Sequence, residues 1–206
     1  LSNVNADRWR PTPGLSWDYL LGSDARPNIT RDVVTFDLEY AKEMVPLLHS
    51  RGQKAVCYFS GGTTDGKPDK DEFVKAGLVI YERGDGDWGN NLLDIKNKKK
   101  LQPLIRKRFQ RAVEYKCDGV EVDVLDLYSY YPERFTKDDS YVFAKWVAET
   151  GHQENISVGL KNLSSLAPRL VNDFDFAVVE SCANYNECSN FKKFTDNNKA
   201  VFIVHY

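Results

Sequence analysis

The chain has 206 residues, of which 42% are hydrophobic and 28% charged, and its formal net charge is -2 with an isoelectric point near 6.0. This composition indicates a single folded domain over residues 1–206 and argues against a dedicated nucleic-acid binder, because such proteins usually carry a basic surface. No run approaches the ~20 consecutive apolar residues that a membrane-spanning helix needs, so we expect no membrane span. We also expect a monomer.

Short β-branched runs alternate with amphipathic stretches along the chain, a pattern typical of an α/β fold with a parallel sheet. The clearest helical periodicity covers residues 98–116. Strands are predicted at residues 15–20, 33–38, 54–60, 78–82, 118–125, 156–161, 175–180 and 200–205. Eight strands with crossover helices favour a single (β/α)8 TIM-barrel-like domain, with catalytic groups at the C-terminal ends of the strands. A doubly wound open sheet is the alternative, which the absence of a glycine-rich phosphate loop weakens.

Acidic residues stand at the ends of apolar predicted strands. Glu121, Asp123 and Asp126 follow one another at the end of the fifth predicted strand, and Glu180 ends the seventh. Strand alternation places Glu121 and Asp123 on one face and Asp126 elsewhere or beyond the strand end. Because ionised acids beside apolar residues are costly without partners, these are candidate functional carboxylates. A structural explanation of Asp123, as a helix cap or a partner of Lys161, is about equally good at this point.

The four cysteines form an even set whose spacing suits no zinc site. Cys182 and Cys188 enclose a short polar loop after the Glu180 strand, so we predict a disulfide between them. Cys57 and Cys117 are either paired or free and buried. We expect a secreted protein, because disulfides persist in oxidising compartments. Three N-glycosylation sequons fit the same route and begin at Asn28, Asn155 and Asn162.

Eight short motifs occur in the order found in one family of carbohydrate enzymes. They are WRPTPGLSW at 9–17, CYFSGG at 57–62, KPD at 67–69, LDI at 93–95, DGVEVD at 118–123, GLKN at 159–162, VESC at 179–182 and VFIVHY at 201–206. On these motifs the chain resembles the endo-α-1,4-polygalactosaminidases of glycoside hydrolase family 114. The resemblance implies a TIM-barrel-like enzyme that cleaves α-1,4-linked galactosamine in secreted exopolysaccharide such as galactosaminogalactan.

The resemblance also implies roles for two carboxylates. Asp123 matches the family's catalytic aspartate and Glu180 its catalytic glutamate, so we expect Asp123 to be the nucleophile and Glu180 the general acid/base. The expected retaining mechanism holds the two carboxyl groups ~5–5.5 Å apart, whereas an inverting one holds them ~6.5–9.5 Å apart. We expect no cofactor, and no metal because the acids are not grouped with histidines as ligand sets.

Substrate contacts are expected from polar and aromatic residues near the strand ends, where an acidic mouth suits a cationic galactosamine polymer. The acids expected to line this mouth with the catalytic pair are Asp37, Asp69, Glu121 and Asp126. For Asp37, a helix cap or a paired core acid is an equally good explanation. The remaining candidate binding residues are Trp17, Tyr58 and Tyr185 for stacking on sugar rings, and Lys161, Asn162 and His205 for polar contacts.

Several positions depart from the family pattern. His205 replaces a usual glutamate, and Val124 replaces the asparagine that usually follows the nucleophile. The other departures are Lys67, Asn90, Leu92 and Val122. These changes leave the expected acid pair intact but alter its surroundings. The alternative hypothesis is therefore a carbohydrate-binding barrel with lost or weak turnover, in which the acid pair is splayed or locked in salt bridges.

Overall fold

A computed structural model describes residues 7–21, 30–65, 67–81 and 91–206 of the chain. Within this part, seven strands form one parallel sheet in the spatial order β1-β2-β3-β6-β7-β8-β9. The strands are β1 (Trp17–Tyr19), β2 (Val33–Asp37), β3 (Lys54–Ser60), β6 (Gly119–Asp123), β7 (Ser157–Lys161), β8 (Phe176–Glu180) and β9 (Val201–Val204). The sheet curves into a nearly closed barrel, which confirms the predicted TIM-barrel-like fold.

Helices follow most strands and cover the outside of the sheet. They are α1 (Ala41–Ser50), α2 (Lys70–Lys75), α3 (Lys98–Glu114), α4 (Leu127–Tyr130), α5 (Lys137–Gln153), α6 (Ala167–Leu170) and α7 (Lys192–Asp196), with 3-10 turns at Leu38–Tyr40 and Cys188–Phe191. The two longest helices begin at side-chain caps: Asn97 accepts from the Lys100 amide, and Thr136 forms a capping box with Asp139. The predicted helix at 98–116 corresponds to α3.

One predicted strand does not join the barrel. The segment predicted as a strand at 78–82 instead contains β4 (Val79–Tyr81), which pairs antiparallel with β5 (Leu92–Leu93) in a separate two-stranded sheet. The barrel has no place for it, because β3 pairs directly with β6, with Tyr58 opposite Glu121. The sheet in the described part of the chain therefore has seven strands rather than the eight predicted.

Strand alternation separates two apolar layers. Side chains that face outward, such as Val120 and Val122 of β6, belong to the large core between sheet and helices. Side chains that face inward fill the barrel, and the buried members of this cluster are Val33, Val56, Phe176, Val178, Ala200 and Phe202. Glu121 and Asp123 alternate with the two valines and share the inward face, so β6 carries its acids into the mouth of the barrel.

The barrel interior is tightly filled below the mouth. A Cβ atom at Gly159 of β7 would lie 2.3 Å from the Phe176 ring, so only glycine lets β7 pass this ring. Across the gap between the first and last strands, the Trp17 and Phe202 rings stack with centroids 5.4 Å apart. No backbone pairing joins β1 to β9 in the described sheet.

Both pairs of cysteines form disulfides. Cys182–Cys188 closes the loop after β8, as predicted, and Cys57–Cys117 joins β3 to the residue two positions before β6. The second bond resolves the alternative that the sequence left open. Asn28, which begins a sequon, and Asn90, a departure from the family pattern, lie outside the described residues. Among those described, no helix is both long and apolar enough to cross a membrane.

Candidate active site

Five strands bring polar side chains together at the C-terminal end of the barrel. Because inward-facing residues recur every second position, each strand delivers inward residues near its C-terminal end to the same mouth. These residues and their immediate neighbours in the mouth are Tyr19, Tyr58, Glu121, Asp123, Lys161, Asn162 and Glu180. The structure thus assembles the two predicted catalytic acids with four of the predicted binding residues.

Lys161 is the centre of this cluster. Its Nζ lies 3.2 Å from Glu121 Oε1 and 3.6 Å from both Asp123 Oδ2 and Glu180 Oε1. Burial alone would lower the pKa of Lys161, but the three carboxylates raise it above its usual range. One permanent positive charge therefore faces three acids. Because both contacts are 3.6 Å long, Asp123 Oδ2 and Glu180 Oε1 can be at most twice that distance apart.

Asp123 is held at both carboxylate oxygens. The Tyr58 hydroxyl donates to Oδ2 at 2.7 Å, and the Val124 amide donates to Oδ1 at 2.8 Å. Its backbone carbonyl accepts from the Gly61 amide at 2.8 Å. Burial and the Asp123 charge raise the pKa of Tyr58, so this hydroxyl keeps its proton and remains a donor. The Asp123 carboxylate is thus fixed in orientation by three hydrogen bonds to the residue.

Glu180 is held by groups from two neighbouring strands. Asn162 Nδ2 donates to Oε2 at 3.0 Å, and the Asn162 Oδ1 accepts from the Glu180 amide at 2.9 Å. Tyr206, two residues beyond β9, donates its hydroxyl to Oε1 at 2.7 Å. Burial and this contact raise the pKa of Tyr206 to about 12. Both oxygens of Glu180 are therefore oriented by neutral donors as well as by Lys161.

Glu121 lies beneath the acid pair and is fully buried. Tyr19 donates to its Oε1 at 2.9 Å and accepts from Lys161 Nζ at 3.0 Å, whereas Oε2 has no partner among the described residues. Burial raises the pKa of Glu121 to about 7, outweighing the attraction of Lys161, and the Asp123 charge adds to the rise. Burial therefore favours the protonated form of Glu121 near neutral pH, beside a charged Lys161.

Asp126 lies beyond the end of β6, as the alternation predicts. Burial and then the Asp123 charge raise its pKa to about 6. Acids at this mouth thus repel one another, which favours a cation in the space between them.

The turns that leave three of these strands have a left-handed backbone conformation. Val124, Asn162 and Ser181, each directly after its strand, have φ angles of 57°, 52° and 52°. This left-handed conformation is tolerated by asparagine but is unfavourable for a β-branched residue such as valine. Val124 is also the position at which the sequence departs from the expected asparagine. The strain is therefore located next to Asp123.

Several predicted binding residues have other contacts. Asp37 caps the turn at Leu38–Tyr40 by accepting from the Glu39 amide, and it pairs with Lys67. Asp37 is therefore both a cap and a paired acid, so both structural explanations given above are correct. Trp17 lies two residues before Tyr19 on the same face of β1, deeper in the barrel. It donates to Thr35 Oγ1 at 3.0 Å and stacks on Phe202, so it fills the barrel interior.

Asp69 was expected to line the mouth with the other acids. It instead forms a two-point ion pair with the buried Arg108. Tyr185, in the loop closed by Cys182–Cys188, is exposed, as is His205. Among the described residues, no hydrogen bond or ion pair joins Tyr185 or His205 to the acid pair, and their roles in binding stay predictions.

Two residues of the site were not assigned from the sequence. Tyr19 is the last inward-facing residue of β1, and the alternation in Trp17–Tyr19 contains the signal that would identify it. Tyr206 follows β9, and nothing in its local pattern distinguishes it from a surface tyrosine. No group of three or more His, Cys, Asp or Glu residues in the described ranges is arranged to hold a metal ion.

Comparisons with known proteins identify the family and the fold. The family model of glycoside hydrolase family GH114 matches residues 1–206. The crystal structure of Aspergillus fumigatus Ega3 in complex with galactosamine is similar at 30% identity and a TM-score of 0.86, covering 100% of this chain and 82% of that one. No curated protein sequence matches the chain.

More distant structures share the fold alone. A variant of the glycoside hydrolase domain of PelA from Pseudomonas aeruginosa aligns with a TM-score of 0.66 at 14% identity, over 90% of this chain and 81% of that one. Amy13B from Eubacterium rectale aligns with a TM-score of 0.57 at 7% identity, over 98% and 59% of the two chains. The barrel is thus an architecture that glycoside hydrolases of very different sequence share.

Proposed function

Because the chain belongs to the glycoside hydrolase family GH114, we propose that this glycoside hydrolase cleaves polymers of α-1,4-linked galactosamine at internal bonds. Asp123 is the nucleophile and Glu180 the general acid/base of a retaining reaction. The observation that carries the proposal is the contact of one ammonium, Lys161 Nζ, with both carboxylates at 3.6 Å. This contact brings together two acids that end separate strands, β6 and β8.

The reaction proceeds in two displacements. In the first, Glu180 gives its proton to the glycosidic oxygen while a carboxylate oxygen of Asp123 attacks the anomeric carbon, so that the glycosidic bond breaks and a glycosyl ester forms. In the second, Glu180 takes a proton from water, the water oxygen attacks the anomeric carbon, and the Asp123 carboxylate leaves. Tyr58 holds the attacking carboxylate in place during both steps.

The charge of the mouth supports a cationic substrate. In the part of the mouth that the structure describes, Lys161 is the buried cation that faces Glu121, Asp123, Asp126 and Glu180. The ammonium of a deacetylated galactosamine unit supplies positive charge where these acids repel one another. The galactosamine bound to Ega3, which is 30% identical over the whole chain, supports the same sugar here. Two disulfides support a secreted location.

The test is release of reducing ends from partially deacetylated α-1,4-polygalactosamine. We expect turnover by the wild type and a loss of at least about 1,000-fold in both Asp123→Asn and Glu180→Gln. Asp138→Asn, on the exposed surface of α5, is the matched control and keeps full activity. Internal cleavage produces a spread of oligosaccharide lengths from the first minutes, and NMR of the new anomeric centre decides between retention and inversion.

A different outcome supports the alternative function. Polymer binding by the wild type and both variants, with no release of reducing ends from any of them, identifies a carbohydrate-binding barrel. Lys161, which contacts both acids, would then hold them in ion pairs that prevent catalysis.

A further inference from the structure

Arg108 of α3 is buried, with a side-chain exposure of 1%, and lies outside the mouth. Its guanidinium makes a two-point ion pair with Asp69 at 2.9 Å on each side. The remaining donors reach backbone carbonyls of residues 60–64, which we call the 60–64 segment: Nη1 lies 2.7 Å from Ser60 O, and Nη2 lies 3.0 Å from Thr64 O. The Phe73 ring lies 4.7 Å from the guanidinium carbon.

The 60–64 segment in turn contacts the end of β6. The Gly61 amide donates to the backbone carbonyl of Asp123 at 2.8 Å. Gly62 approaches Val124 so closely that a Cβ atom there would lie 2.4 Å from the Val124 carbonyl oxygen. Val124 is the strained residue whose amide holds Asp123 Oδ1. A shift of this segment therefore moves both the backbone and the side chain of Asp123.

We propose that Arg108 is a positioning residue for Asp123 and acts through the 60–64 segment. The inference rests on the proposed role of Asp123 as the nucleophile. Three features have no role in the catalytic mechanism: Asp69, the adjacent glycines Gly61 and Gly62, and the buried Arg108. A positioning role for Arg108 explains all three, because each helps to hold the 60–64 segment against the end of β6.

The geometry requires an arginine. A buried cation is costly, and well-packed apolar residues often stabilise a core equally well, so stability alone does not explain Arg108. The planar guanidinium presents its donors in a rigid fork that satisfies Asp69 on one edge and two carbonyls on the others. Lysine has neither the planar shape nor enough donors in fixed directions to hold both partners.

The test compares Arg108→Lys with the wild type in the hydrolysis assay. We expect kcat to fall about 100-fold and KM to change less than about threefold, because a displacement near 1 Å of the nucleophile has this effect while the sugar contacts remain. Ala112→Gly is the matched control, since it destabilises the same helix through its backbone and leaves the guanidinium contacts unchanged. Its kcat stays within about threefold of the wild type at a temperature where it is folded.

A second measurement does not depend on activity. Amide hydrogen exchange at Gly61 and Val124 reports whether the segment still holds Asp123, and in Arg108→Lys we expect exchange at Gly61 to accelerate at least about tenfold relative to Val158 in β7. If Arg108→Lys does not fold, Asp69→Asn carries both measurements, because it removes the charge that orients the Arg108 guanidinium and leaves the 60–64 segment itself unchanged.

The outcomes are distinct. Wild-type protection of Gly61 in the variants, or a kcat within threefold of the wild type, overturns the inference. If the wild type itself shows no turnover, the proposed function fails, and the exchange measurement alone decides whether Arg108 holds Asp123.

Discussion

Lys161 and Glu121 form an ion pair that water does not reach: Nζ lies 3.2 Å from Oε1, and the two side chains are 2% and 0% exposed. Desolvation acts on both partners, but the other acids of the mouth stabilise the ammonium and destabilise the Glu121 carboxylate. The two residues therefore respond differently to pH. Lys161 stays charged, whereas Glu121 changes its charge near neutrality.

The first prediction concerns stability as a function of pH. The pKa of Glu121 is about 7 in the folded protein against an ordinary value of 4.5, so between these values the folded state holds a proton that the unfolded state has lost. Stability from this group therefore falls as the pH rises through that window, by at most about 3 kcal/mol. In Glu121→Gln we expect this contribution to disappear. Urea unfolding at about pH 5 and about pH 8 measures the difference.

Glu149→Gln is the control for this experiment, because Glu149 lies on the exposed surface of α5. It is expected to keep the pH dependence of the wild type. The same dependence in Glu121→Gln would contradict the assignment of this titration to Glu121.

The second prediction concerns the donor to Asp123. Tyr58→Phe removes the 2.7 Å hydrogen bond to Oδ2 and leaves the ring in place. A hydrogen bond to a charged group contributes about 1.5–3 kcal/mol, so kcat is expected to fall about 10- to 100-fold. Steady-state kinetics on the polymer measure it. Tyr128→Phe loses a hydroxyl contact to Ser165 Oγ at 2.7 Å instead, and equal losses in both variants would count against a specific role for Tyr58.

The third prediction concerns the strained turn after β6. Val124→Asn replaces a β-branched residue at a φ of 57° by one that tolerates this conformation, and we expect a gain of about 1 kcal/mol in the free energy of unfolding. Val113→Asn makes the same chemical change on the partly exposed surface of α3, where the backbone is helical and no gain is expected. Denaturant unfolding of the two variants compares them. A loss of stability in Val124→Asn would show that the packing of the valine outweighs the strain.

The fourth prediction separates the two disulfides. Cys57–Cys117 spans 60 residues and Cys182–Cys188 spans 6, so chain-entropy arguments give losses of about 4 and about 2 kcal/mol when each pair is replaced by alanines. Thermal unfolding of the two double variants tests the order. A larger loss for the Cys182–Cys188 variant would mean that local strain or packing, rather than loop length, decides the effect.

Sequence patterns sufficed for the parts of the site that follow from alternation. Glu121 and Asp123 share the inward face of β6 because they are two residues apart. Glu180 faces inward on β8 because it lies two residues after the inward-facing Val178. The family resemblance, now confirmed, gave the expected roles of Asp123 and Glu180, which remain to be tested. The pairing of Cys182 with Cys188 followed from their short separation.

Contacts between distant segments were beyond the reach of local patterns. The helical periodicity of residues 98–116 places Arg108 on the buried face of α3 with Leu101 and Ile105. It does not identify the partners of the buried guanidinium, which lie 39 to 48 residues earlier in the chain. The segment at 79–81 has the composition of a strand, but its place outside the barrel depends on the direct pairing of β3 with β6. The position of Tyr206 against Glu180 likewise depends on how β9 lies beside β8.

The contact between Trp17 and Phe202 joins the first and last strands without a backbone ladder. An aromatic pair contributes only ~0.5–1.5 kcal/mol beyond its buried area, far less than the row of hydrogen bonds that joins each of the other neighbouring strands. Among the described strands, β1 and β9 are therefore the neighbours with the weakest lateral connection. Tyr19, which donates to Glu121, lies on β1 at one side of the gap between these two strands, and Tyr206, which donates to Glu180, follows β9 at the other side. A small opening between β1 and β9 would therefore move these two donors apart from each other, while the backbone hydrogen bonds from β2 to β8 stay intact.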